Sequence, residues 1–163
     1  MEEDLYMEMI AYYAGDPKRI QHFMKVYALS KLIGSREKMD AGSYEILCAA
    51  SLVHDIGIKK AEEQFGRCDG RLQEKLGPDI AGNMLKAIGF SDTVIERVCY
   101  LVGHHHTYGE IEGMDYQILV EADFLVNLYE DNSDIHAVKT AYERIFKTKT
   151  GKLICREMFG LEE

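Results

Sequence analysis

Proline is nearly missing from this sequence. Only two occur in 163 residues, Pro17 and Pro78, and each sits where a helix opens. Asp16-Pro17 reads as an N-cap followed by the first helical position, where the absent N–H costs nothing, and Pro78 after Gly77 reads the same way. Cysteine pairing is missing too: Cys48, Cys68, Cys99 and Cys155 are scattered, with no Cys-x-x-Cys. Neither a disulfide scaffold nor a thiolate zinc site is signalled. No apolar run approaches the roughly 20 residues of a membrane span, and the opening MEEDLYMEMI carries acids where a signal peptide carries bases. A cytoplasmic protein without a membrane partner is expected. Basic charge is also short. Nineteen Lys and Arg stand against 28 Asp and Glu, giving a net charge of −9 and a pI near 5.2. That balance excludes a protein that grips a nucleic-acid backbone by bulk electrostatics. It leaves room for a small anionic substrate, because a metal ion or a few local cations can reverse the field within one cleft.

What is present is apolar residue at helical spacing. With 47% hydrophobic residues in a chain of this length, one domain with a proper core is expected over residues 1–163. Its core falls at about 16–130, with C-terminal helices over 133–159. Helix starts are suggested at Asp16, Ser43, Pro78, Ser91 and Ser133, and ends near Gly34, Gly89 and Gly103. Helices are placed at about 4–14, 16–34, 43–56, 78–88, 91–103, 114–130 and 133–147, with a short one near 150–159. No alternating strand, internal repeat or low-complexity tract appears, so the fold class is all-α. The segment 57–77, with four glycines among charged residues, reads as an irregular active-site loop.

Four residues then demand an explanation. His22 lies on the stripe of Val26, Leu29 and Ile33, so it faces inward. His54 follows Leu47 and Ala50 on one face, and Asp55 is its neighbour. Adjacent helical residues diverge by about 100°, so both reach one ion only where the helix ends, and Gly57 is read as that ending. Asp123 shares a face with Tyr116, Leu119 and Val126 in a segment apolar almost all round, with no Lys or Arg nearby. An unpaired carboxylate there costs several kcal/mol. A metal is the simplest partner. His22, His54, Asp55 and Asp123 form an N₂O₂ set that suits Mn, Fe, Co, Ni or Zn better than Ca, one ion per chain.

From Arg19-Ile20-Gln21-His22, through His54-Asp55-Ile56-Gly57, to His104-His105-His106 and Ala122-Asp123, the chain resembles the HD-domain superfamily of metal-dependent phosphohydrolases. The resemblance implies a helical domain with the metal at its centre, and hydrolysis of a phosphate ester or anhydride, often of a nucleotide. The sequence also departs from that pattern. Members with two metals carry a histidine in the form His-Pro-x-Ile-Gly, where this chain has Gly77-Pro78-Asp79-Ile80-Ala81. That puts a dinuclear centre in doubt, although Glu74, one turn earlier, is a stand-in if the loop folds inward.

His105 continues the stripe Val94, Val98, Leu101 and is the best of the triplet to face the metal, with His104 and His106 pointing elsewhere. Clustered imidazoles can take a second metal or donate to phosphate oxygens. Arg19, Lys59 and Lys60 are candidate phosphate clamps, Arg19 through its bidentate fork and a lysine as a point charge. The expected mechanism is attack by a metal-activated water, with Asp55 as ligand and orienter and His105, Arg19 and Lys59 stabilising charge on the phosphoryl group. Two other readings stand beside it: oxygen chemistry at iron, which the missing ligand at Gly77 disfavours, and a catalytically weak or inactive metal- or nucleotide-binding regulator.

Overall fold

The computed structural model describes residues 1–162. Their helices are α1 (Glu2–Tyr12), α2 (Pro17–Arg36), α3 (Ala41–Val53), α4 (Gly57–Phe65), α5 (Gly70–Ile88), α6 (Asp92–Val102), α7 (Met114–Glu130), α8 (Ile135–Arg144) and α9 (Lys149–Phe159). No strand occurs among the described residues, and none of the helices is long and apolar enough to cross a membrane. Most starts are fixed by a short side chain that accepts a bond from an otherwise orphaned N–H. Asp16 accepts from Arg19 N, with Pro17 in the first turn, Asp40 from Ser43 N, Ser91 from Val94 N, and Asp134 from Ala137 N.

Several expectations are corrected here. Residues 57–77 are not a loop: α4 and the first turns of α5 fill them, leaving only 66–69 between. Asp69 opens α5 by accepting from Leu72 N at 2.9 Å, so Pro78 lies inside a helix instead of starting one. Gly57 and Gly77 serve contact, not flexibility. A Cβ on Gly57 would meet Gln73 O at 2.9 Å and Gly77 N at 3.0 Å, and one on Gly77 would meet Val102 Cγ1 at 2.7 Å. These two glycines let α4 and α5 cross with their backbones touching. Ser43 and Ser133 yield their capping roles to Asp40 and Asp134, and Gly34 is buried within α2.

The centre of the core is α7 against α2 and α3. In α3 every residue from Leu47 to Val53 is buried, and α7 is buried around most of its circumference, the pattern of a helix with neighbours on all sides. The other helices add Leu5 and Met9, Leu85, Val98 and Leu101, Val138 and Cys155 to the same core. Glu121, fully buried in α7, accepts from Gln117 Nε2 (2.6 Å), Lys147 N (3.2 Å), Thr148 N (3.1 Å) and Thr148 Oγ1 (2.7 Å). That carboxylate ties α9 to α7 at a helix N-terminus, where negative charge is favoured.

Candidate metal centre

The end of α3 builds the centre. The helix stops at Val53, and residues 54–56 make a turn before Gly57 begins α4, so Gly57 opens the next helix and does not end the previous one. Two tyrosines of the α1 end satisfy the turn's carbonyls: Tyr13 donates to Asp55 O at 2.7 Å and Tyr12 to Ile56 O at 3.2 Å. The turn swings Asp55 back onto the face that carries His54. Both then meet His22 from α2 and Asp123 from α7, and the four offer ligand atoms all within 4.8 Å of one another.

Hydrogen bonds fix the tautomers. His54 Nδ1 donates to Ser51 O at 2.7 Å, His105 Nδ1 to Val102 O at 2.9 Å, and His22 Nδ1 to Glu130 Oε1 at 2.5 Å. In the neutral imidazole each Nε2 is therefore a lone pair. Yet His22 Nε2 stands 3.2 Å from His54 Nε2, 3.1 Å from Asp55 Oδ2 and 3.2 Å from Asp123 Oδ1. His54 Nε2 lies 3.4 Å from the same Asp123 oxygen. That oxygen is buried with no aligned donor. Four acceptors facing one another at such distances repel unless positive charge sits among them. With no ion, protons take that place. Burial lowers an imidazole, but Asp123 and Asp55 outweigh it and push His22 up to about 11 and His54 up to about 10. Burial raises the two carboxyls, and the imidazoles in turn hold Asp55 and Asp123 well below the usual carboxylate range. Imidazole nitrogen and carboxylate oxygen in this number suit a divalent transition metal. The donors present fit one.

Asp55 also faces the other way. Its Oδ1 lies 3.3 Å from His105 Nε2, and Asp55, His105 and His106 make a second group able to hold an ion. His106 thus joins the site instead of pointing elsewhere. Gln73 holds its ring, accepting from Nε2 at 2.9 Å. The reason is the turn after Val102, which replaces the helix that the stripe reading extended through Gly103. His104 does turn away, stacked on Tyr100 with ring centroids 4.1 Å apart. Glu74 accepts from Thr107 at 2.9 Å and is not in either group. Gly77 packs on Gly57 and Val102, so its position faces a helix crossing.

An open cleft of about 420 Å³ reaches the centre, bordered by His22, Asp55, Gln73, Lys18, Arg19 and Glu130, a volume that admits a small molecule. Arg19 is at its rim but already engaged, by Asp16 at 2.9 Å and by both oxygens of Glu62. Lys59 turns to Tyr12, donating to its carbonyl at 3.0 Å and lying over its ring. Lys60 is exposed and outside the cleft lining. Lys18 and Glu130 escaped the sequence reading. A signal for Glu130 existed: it follows Asp123 by two helical turns and shares its face.

The fold and this ligand set together define an HD domain with a group of residues able to hold a metal. The HD domain family model matches residues 19–143, and the chain belongs to that family. Among solved structures the chain is similar to a predicted HD superfamily hydrolase from an uncultured Thermotogales bacterium, with a TM-score of 0.70 and 23% identity over 97% of this chain and 84% of that one. At that identity the likeness speaks for the fold. A search of curated proteins finds no match.

Proposed function

We propose that this chain is a metal-dependent phosphohydrolase. It acts on a phosphate ester or anhydride of a small molecule, with nucleotides as the first class to test. Its cofactor is a divalent transition metal (Mn, Fe, Co, Ni or Zn) held by His22, His54, Asp55 and Asp123. The observation that supports this most is the buried Asp123 oxygen, facing two imidazole nitrogens without an aligned donor. Bound there, such an ion supplies an acidified water and a Lewis acid for a phosphoryl oxygen.

The protein's own groups do the rest. Asp55 uses one oxygen on the side of His22 and His54 and turns the other to His105, so it is placed to orient a water and accept its hydrogen bond. His105, fully buried with Nδ1 committed to Val102 O and Nε2 facing Asp55 Oδ1 at 3.3 Å, stands beside the water that Asp55 orients and the phosphoryl group it attacks. Lys18 and Arg19 bring positive charge to the rim, with Arg19 rigidly set by Asp16 and Glu62.

The test is release of phosphate or nucleoside from a panel of phosphate esters and anhydrides, with wild type and Asp55→Ala purified identically. Mn, Co or Ni should support turnover better than Ca, and Asp55→Ala should fall to background. Arg19→Ala should lose less. Equal rates in the two preparations would mean a contaminant and would remove the enzyme reading. Nucleotide binding without product from the metal-loaded protein would make it a regulator.

A further inference from the structure

We propose that Glu130 is a positioning residue for the metal centre: it holds His22 in the tautomer and ring orientation that present Nε2 to the ion, and its charge raises the basicity of that nitrogen. This rests on the metal-centre reading above. Three imidazoles enter the site through Nε2, and for His54 and His105 the outer partner of Nδ1 is a backbone carbonyl of their own turn. His22 alone has a carboxylate there, at 2.5 Å. It is also the one of these three histidines that stands within a helix, in α2, where no neighbouring carbonyl is free to accept.

Glu130 has no other evident reason to be where it is. It is the last residue of α7, and an acid at a helix C-terminus opposes the macrodipole. Its other oxygen lies 3.7 Å from Lys25 Nζ, a half-exposed lysine, and such surface pairs contribute little. It points into a cleft that already contains Asp55 and Asp131, so its negative charge is repelled there unless His22 and an ion beyond it compensate. A carboxylate behind a metal-bound histidine fixes the ring and strengthens the ligand, and losing such a partner typically weakens metal binding about 10–100-fold.

The experiment titrates chelator-treated wild type, Glu130→Gln, Glu130→Ala and Lys25→Ala with Co²⁺, by calorimetry and by the visible absorption of the bound ion. Wild type and Lys25→Ala should bind alike. Glu130→Gln keeps an acceptor oxygen and removes the charge, so it should weaken binding about 10-fold with a similar spectrum. Glu130→Ala frees the ring and should weaken binding toward 100-fold, with an altered spectrum. If Glu130→Ala does not fold, the isosteric Gln variant decides by its Kd. Wild-type Kd and spectrum in both variants, or an equal loss in Lys25→Ala, would overturn the role of Glu130 while leaving the metal centre intact. Absence of Co²⁺ binding by the wild type overturns the metal centre and this inference with it.

Discussion

Asp123→Asn is the sharpest test of the centre, because it keeps the side chain's volume and removes only the charge. Asp123 comes from the buried face of α7 and meets ligands from α2 and from the turn after α3, so an ion bound there bridges separate elements of the native fold and finds no such site in the unfolded chain. Binding to the native state alone adds about 2.7 kcal/mol at a metal concentration of about 100 times Kd. A domain of this length moves by about 2–4 °C per kcal/mol, so metal should raise the Tm of the wild type by roughly 5–11 °C. Loss of an anionic ligand should weaken binding by at least about 100-fold, the upper figure for an outer partner. At the same metal concentration the variant is then only half saturated, which corresponds to about 0.4 kcal/mol and about 1–2 °C. The assay is thermal unfolding followed by circular dichroism on chelator-treated protein, with and without Mn²⁺ or Zn²⁺, and elemental analysis of each sample. Increments are compared, not absolute Tm values, because Asn also removes a partner of His22 and His54. A variant that keeps the full wild-type increment would refute the assignment of Asp123 as a ligand.

Metal uptake should release protons and weaken as pH falls. In the metal-free protein His22 and His54 are pushed up to about 11 and 10, and an ion must displace what they hold. Calorimetry in buffers of different ionisation enthalpy counts those protons, and a count of zero at neutral pH would contradict the geometry. The same shifts set the metal-free stability profile. Raised imidazoles contribute fully below their ordinary value of 6.5 and lose their contribution as pH climbs toward 10–11. Lowered carboxyls contribute fully above their ordinary 3.8 and lose it as pH falls. Metal-free protein should therefore be favoured by this cluster most between pH 3.8 and 6.5, measured by urea midpoints. Gly57→Ala should destabilise more than Gly77→Ala, although both add one methyl. The first meets the backbone of Gln73 and Gly77, whereas the second clashes only with the Val102 side chain, which yields more readily than backbone. We expect about 1–3 kcal/mol for Gly77→Ala and more for Gly57→Ala. Equal urea midpoints would sink the argument that the α4 and α5 backbones are in contact.

The parts of this fold visible in its sequence are those governed by local rules. Stripes of apolar residues place α2, α6 and α7 to within a few residues, and Asp16 and Ser91 cap where expected. The error over 57–77 has a definite cause. Glycine in sequence carries no sign of whether it grants conformational freedom or close approach, and here Gly57 and Gly77 spend theirs on a helix crossing. The site shows the same division. Asp123 and Glu121 are two acids in one apolar helix, and both are buried. A buried carboxylate announces that it has a partner, but the sequence does not say which. For Glu121 the partners are the Gln117 amide, the Thr148 hydroxyl and two N–H groups ahead of α9, the last two contributed by backbone that any sequence supplies and therefore invisible in composition. For Asp123 the surroundings are imidazole nitrogens whose protons are drawn off to Ser51 and Glu130. The two acids differ only in what lies across from them, so the reading that selected Asp123 depended on His22 and His54 lying elsewhere in the chain at inward positions. Lys59 and Arg19 already hold protein partners for the converse reason. A surface cation takes whichever acceptor folding brings to it, here Tyr12 O and Glu62, and no periodicity records that choice.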